Sequence, residues 1–141
     1  MKLLFTVASL IFGLSVAQAE ILSDSALNRL VRVERFSFGG TGEAGVISQG
    51  EKDYREILSR STALNDFKKL FQIGNAQAKC YALVGIHALK PAIVETLSSS
   101  LRSEKTEVAT QSGCIIMQEP INAILKAIEA GAYPPASKEK K

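Results

Sequence analysis

Residues 76–89 read AQAKCYALVGIHAL, an unbroken stretch in which only Gln77, Lys79 and His87 are strongly polar. A helix that is apolar nearly all round is buried on most sides, so this stretch predicts the central helix of the fold. Its small residues (Ala78, Ala82, Gly85 and Ala88) leave room for neighbouring helices to approach closely. Cys80, Val84 and His87 share one stripe. A lone histidine there reads first as a packed core residue with one hydrogen bond, ahead of surface exposure or a role in pH sensing or general base work.

Working outward, Gly74 is placed to end a preceding helix at its C′ position and Asn75 to cap the central one. The preceding helix follows Ser61 or Thr62, with an apolar stripe of Leu64, Phe67, Leu70 and Phe71. Before it, a helix over about Gln49 to Arg60 carries Tyr54, Ile57 and Leu58 on one side. Glu51–Arg55 and Glu56–Arg60 are acid–base pairs four residues apart, read as its solvated face. On the other flank, Lys90-Pro91 ends the central helix and starts another, with Ile93, Val94, Leu97 and Leu101 as its face and Ser98-Ser99-Ser100 weakening its end. Helices joined by such short links imply a compact stack. No second copy recurs at a fixed period, so a solenoid is not supported.

Upstream, residues 36–51 read FSFGGTGEAGVISQGE, and Gly40 to Gly45 match G-x-G-x-x-G literally. A dinucleotide site needs its glycines to form the turn from strand to helix, so that the pyrophosphate meets the helix N-terminus. Here Ser48 and Glu51 form an S-x-x-E capping box, which starts the helix beyond the glycines. Gly39, Gly40, Gly42 and Gly45 are therefore read as left-handed or close-packed backbone positions in an ordered turn. Gly45 to Gly50 is also one residue out of register with a nucleophile elbow, and Ser48 reads as a helix cap. Before the glycines, residues 23–30 (SDSALNRL) suggest a helical turn. VRVERFSF alternates imperfectly, as a strand with a kink near Arg35 would.

After the helices the pattern changes to a β-hairpin. Its strands are read as Glu107 to Thr110 and Cys114 to Gln118, with a turn at Ser112-Gly113. Pro120 begins a last helix carrying Ile121, Ile124, Leu125 and Ile128, closed by Gly131.

The chain ends set compartment and charge. Residues 1–19, MKLLFTVASLIFGLSVAQA, show an early lysine, a short apolar run and an A-x-A cleavage signal, the pattern of a signal peptide. Cleavage after Ala19 leaves 122 of the 141 residues, enough for one domain over residues 20–133. It also removes Lys2, so the mature chain has 16 basic and 14 acidic residues. Residues 134–141, PPASKEKK, read as a disordered basic tail. The body is then close to neutral, which argues against nucleic acid as a partner. The two cysteines, Cys80 and Cys114, suggest a disulfide in an exported chain. Closing that loop would stabilise the fold by roughly 3–4 kcal/mol. The fold class expected is mainly α with a small β-hairpin (α+β): about five stacked helices, a short N-terminal strand and one disulfide.

The combination of GGTGEAGVISQGE, NAQAKCYALVGIHAL and TQSGCII resembles a family of small exported bacterial proteins, one member of which is encoded within a microcin gene cluster. The likeness spans about Phe36 to Tyr133. It implies an exported bacterial protein, periplasmic or secreted, but no reaction, ligand or site.

The functional expectation is a non-enzymatic binding or adaptor protein of the bacterial cell envelope. No cofactor, metal or catalytic residue is assigned, and no membrane anchor remains after cleavage. The interaction surface is placed at the Gly39–Gly45 loop or at the hairpin edge, with an envelope protein as partner. The alternatives are a small periplasmic hydrolase or hydrolase inhibitor, or an accessory to an exported toxin. For a hydrolase, Glu43 and Glu51 with His87 are the candidates.

Overall fold

The computed structural model describes residues 25–133. The signal peptide and the basic tail expected above lie outside the described residues. Within them, six α-helices and two small antiparallel hairpins enclose one apolar core. This is an α+β arrangement.

Helix α1 spans Ser25–Val31. The next segment does not form the expected strand. It makes a single parallel bridge, Phe36 to Thr110, because its backbone finds other partners. The Ser37 N–H donates to the Tyr81 hydroxyl at 3.1 Å, and that hydroxyl donates back to the Ser37 carbonyl at 2.8 Å. Alternation in sequence cannot reveal that a buried tyrosine and two backbone bonds at Phe36, and not a full strand ladder, satisfy the chain.

The glycine stretch is a hairpin, not a strand-to-helix turn. Strands β1 (Gly40–Thr41) and β2 (Val46–Ile47) pair antiparallel around Gly42 and Gly45. Gly39, Gly42 and Gly45 have φ of 83°, 69° and 61°, the left-handed region that glycine enters without strain. Helix α2 (Gln49–Leu58) starts beyond them, with the Ser48 hydroxyl accepting the Glu51 N–H at 3.1 Å. The other half of the capping box is absent, because the Glu51 carboxylate turns to Gly39 and Arg55.

Helix α3 (Ala63–Ile73) and helix α4 (Ala76–Leu89) follow, with Asn75 capping α4 through Ala78 N–H at 2.8 Å. Gly74 is extended, with φ −80°, so its reason is space: a Cβ there would meet the Cβ of Ala78. Every residue from Tyr81 to Ile86 is buried, and α4 packs against α2, α3, α5, α6 and β3. Gly85 lies against the Phe67 ring of α3, the close approach that the small residues foretold.

The helix expected after Pro91 is broken. A 3₁₀ turn (Pro91–Ile93), a one-turn helix α5 (Val94–Leu97) and a second 3₁₀ turn (Ser99–Arg102) replace it. The Ser98 hydroxyl donates to the Val94 carbonyl at 2.6 Å and the Ser99 hydroxyl to the Thr96 carbonyl at 3.1 Å. Hydroxyls competing for backbone acceptors favour such tightened turns. Strands β3 (Glu107–Ser112) and β4 (Ile115–Pro120) form the second hairpin, and α6 (Ile121–Glu129) buries Ile121, Ile124, Leu125 and Ile128.

The expected disulfide is absent. Cys80 is fully buried within α4, Cys114 is exposed at the hairpin tip, and both are free thiols. The tip faces the glycine hairpin instead, where the Gly42 N–H donates to the Gly113 carbonyl at 2.9 Å. The hairpin is thus pinned by backbone hydrogen bonds and by Val108 in the core, without a covalent link.

Candidate functional site

Phe36 and Phe38, two residues apart on an extended segment, both turn towards the core and join Tyr54, Tyr81 and Tyr133 in an aromatic cluster. Ring centroids are 5.0 Å apart for Phe36–Tyr81, 5.1 Å for Phe36–Tyr133 and 5.1 Å for Phe38–Tyr54. Burial pushes the Tyr54 hydroxyl up to about 12, with the charge of Glu51 adding to the shift. The Tyr81 and Tyr133 hydroxyls are raised as well, chiefly by burial.

The β3–β4 hairpin overhangs this cluster. Its loop is Gly113-Cys114, one residue later than the expected turn, with Gly113 at φ 57° as a type II′ turn requires at its first position. The later turn keeps the faces of the strands but slides β4 by two residues. Thr110 therefore opposes Met117 and Val108 opposes Glu119, with all four side chains on the core side. Val108 fills the core. Thr110, Met117 and Glu119, together with Phe36, Phe38 and Tyr133, line a partly enclosed cavity of about 250 Å³.

Two polar groups at this cavity lack partners. Thr110 Oγ1 is buried and makes no hydrogen bond among the described residues. The half-buried Glu119 carboxylate has no ion pair there either. Its charge reaches both the Tyr133 hydroxyl and the thiol of Cys80, which burial and Glu119 together push up to about 12. A thiol so far from ionisation is a poor nucleophile.

The outer edge of β4 is open. In this register the N–H and C=O groups of Ile116 and Gln118 point away from β3. The same alternation turns Ala109 and Gln111 towards Phe36, where the Phe36 N–H donates to the Ala109 carbonyl at 2.8 Å and the Gln111 N–H to the Phe36 carbonyl at 3.1 Å. Among the described residues no strand pairs with the β4 edge. Ile115, Ile116 and Met117 on it are 64%, 50% and 46% exposed.

The hydrolase candidates do not converge. Glu43 is exposed in the β1–β2 turn. Glu51 is buried, not on a solvated face as its pairing with Arg55 suggested: one oxygen accepts the Gly39 N–H and the other is held by Arg55. His87 is half-buried rather than packed in the core. It lines a separate surface cavity of about 360 Å³ with Pro91, Glu95 and the Arg102–Glu129 ion pair. Among the described residues no three His, Cys, Asp or Glu side chains gather as metal ligands.

The expected interaction loop is engaged within the fold. Gly39, Gly42 and Gly45 all donate internally, to Glu51, Gly113 and Gly42. Of the two expected surfaces, the hairpin edge offers a longer run of outward backbone, at Ile116 and Gln118. Sequence reading missed Phe36, Phe38, Thr110, Glu119 and Tyr133 as one site. The sole signal was the alternation of Ile115, Met117 and Glu119, which becomes informative once the turn is placed at Gly113-Cys114. No family model, curated protein or solved structure matches the chain.

Proposed function

We propose that this protein is an exported, non-enzymatic binding or adaptor protein of the bacterial cell envelope, and that its partner supplies an extended polypeptide segment to the open edge of β4. The observation that carries this reading is the run Ile115-Ile116-Met117, exposed on a strand whose outward backbone groups pair with no other strand among the described residues. Exposed edges of this kind are templates for strand addition, in which main-chain hydrogen bonds supply affinity and alternate side chains supply selectivity. Glu43 is exposed, Glu51 is engaged by Gly39 and Arg55, and His87 lines a different cavity, which supports a binding role over the hydrolase alternative.

The test places a photo-crosslinking residue at position 116 in the native envelope, with a control at Lys68 on α3. The expected result is one reproducible adduct at 116 that maps to a defined segment of a partner and is lost in Gln118→Pro. Proline there removes an outward N–H but no bond of the β3–β4 ladder. Equal labelling at both positions, or an adduct indifferent to Gln118→Pro, overturns the reading. A concentration-dependent dimer in sedimentation, abolished by Ile116→Lys, would identify a second copy as the occupant and overturn the envelope-partner assignment.

A further inference from the structure

We propose that the cavity between β4 and the aromatic cluster is a binding site for a primary alkylammonium group. Glu119 supplies the counter-charge, Thr110 Oγ1 is an acceptor, and Phe36, Phe38 and Tyr133 cover the alkyl chain. This site is distinct from the outward edge of β4 and stands whether or not a strand adds there.

Three observations converge. The first is charge: Glu119 is half-buried beside apolar walls with no cation paired to it among the described residues. A carboxylate withdrawn from water without a partner is costly, and the ligand that offsets the cost is a cation. Arg35, which reaches the Gln111 side chain at 3.4 Å, borders a neighbouring cavity and not this one.

The second is Thr110. At 7% exposure it is more than nine-tenths buried, it lies two residues from Val108 on the same face as Glu119, and its hydroxyl has no partner among the described residues. Buried polar atoms in native proteins nearly always find a hydrogen bond. Thr110 lines the cavity, and a rotation of its side chain about χ1 would turn the enclosed, unbonded hydroxyl towards a ligand donor. An ammonium brings three N–H donors and no acceptor, which suits a lining whose free polar atoms are a carboxylate and hydroxyls.

The third is shape and surface. The cavity, at about 250 Å³, falls just below the range that holds drug-sized ligands, so its occupant is a small molecule or a single side chain. Aromatic rings next to a cation add attraction through their faces, and Met117 completes an adaptable apolar wall. A neutral sugar would use the rings but leave Glu119 uncompensated.

The same chemistry reaches the site from two sources, a free amine or a lysine side chain on a polypeptide. The experiment titrates the isotope-labelled chain with n-butylammonium, n-butanol and Nα-acetyl-lysine N-methylamide, following amide and tyrosine ring signals by NMR. The expected result is a saturable response centred on Thr110, Glu119 and Tyr133, with butanol weaker by about tenfold, since a charge-assisted contact is lost. Glu119→Gln should weaken butylammonium by a similar factor. Met117→Lys, which delivers an ammonium from the protein itself, should abolish the response. Tighter binding of the lysine derivative than of butylammonium assigns the site to a polypeptide, and the reverse order assigns it to a free amine. Equal affinity for butanol, an unchanged response in either variant, or signals elsewhere on the surface overturns the proposal.

Discussion

Glu51 Oε2 accepts the backbone N–H of Gly39 at 2.7 Å, while its Oε1 is held by Arg55 at 2.8 Å. One buried carboxylate thus ties the entry of the glycine hairpin to the first turn of α2. The contact gives the positive-φ glycines a fixed origin: the chain must reverse at Gly39 to present its N–H inward, and only then can β1 and β2 close above Ser48. An acid in the first turn of a helix is also favoured by the helix dipole.

Glu51→Ala should therefore cost more than loss of the cap alone. Removing an acceptor from an inward N–H and from Arg55 destabilises by about 1–3 kcal/mol, against about 1 kcal/mol for Ser48→Ala. Urea denaturation gives both values. Hydrogen exchange at the Gly39 amide should accelerate in Glu51→Ala and not in Ser48→Ala. Equal costs in the two variants would show that the tie contributes little.

Gly85→Ala tests close packing in the central helix. Helix propensity alone favours alanine by about 1 kcal/mol. The added Cβ, however, would sit against Phe67 Cε2 and Cδ2, a ring that is fully buried. Overpacking costs about 1–3 kcal/mol, so the net expectation is destabilisation. Phe67→Leu combined with Gly85→Ala should recover part of the loss. A melting temperature that rises in Gly85→Ala alone would show that Phe67 has room to move.

The two thiols should behave differently towards a thiol reagent under native conditions. Cys114 is exposed and Cys80 fully buried, so one equivalent reacts rapidly and the second only at the rate of unfolding. Complete protection of both thiols, lifted by reductant, would restore the disulfide that the cysteine count suggested.

Alkaline pH should unfold the protein through its buried acids. The Cys80 thiol rises from 9.0 to about 12 and the Tyr54 hydroxyl from 10.0 to about 12 on folding. Between the unfolded and folded values the native state holds more protons than the unfolded chain, so stability falls as pH rises. The contribution is fully present below about pH 9 and is lost progressively towards pH 12. Denaturant titrations at intervals across that window should show the decline, amounting to a few kcal/mol for Cys80 at the usual ~1.4 kcal/mol per unit. Cys80→Ala should flatten the first part of it, between pH 9 and 10, and a profile identical to that of the parent chain would place the loss elsewhere.

Much of the helical framework was legible because its signals are local. Ser48 and Asn75 cap helices within three residues of themselves, and the stripe of α6 repeats every turn. The segment Val31 to Phe38 was misread because alternation says only that a chain is extended. What pairs with it, a tyrosine hydroxyl and one residue pair of β3, is decided more than 40 residues away in sequence. The pair Glu51–Arg55 was legible as a pair but not as buried, since burial of its acid depends on where the glycine hairpin folds back.

The sequence by itself determined helix starts, the apolar stripes of α3, α4 and α6, the glycine turn and the existence of a hairpin after the helices. Each follows from capping, periodicity or backbone freedom acting over a few residues. Only the tertiary structure decided that Cys80 faces inward while Cys114 stays at an exposed tip. Only it brought Phe36, Thr110, Glu119 and Tyr133 around one cavity and left the outer edge of β4 without a partner strand among the described residues. Those outcomes depend on which segments compete for the same buried space and the same backbone partners, a competition settled by contacts across the whole chain.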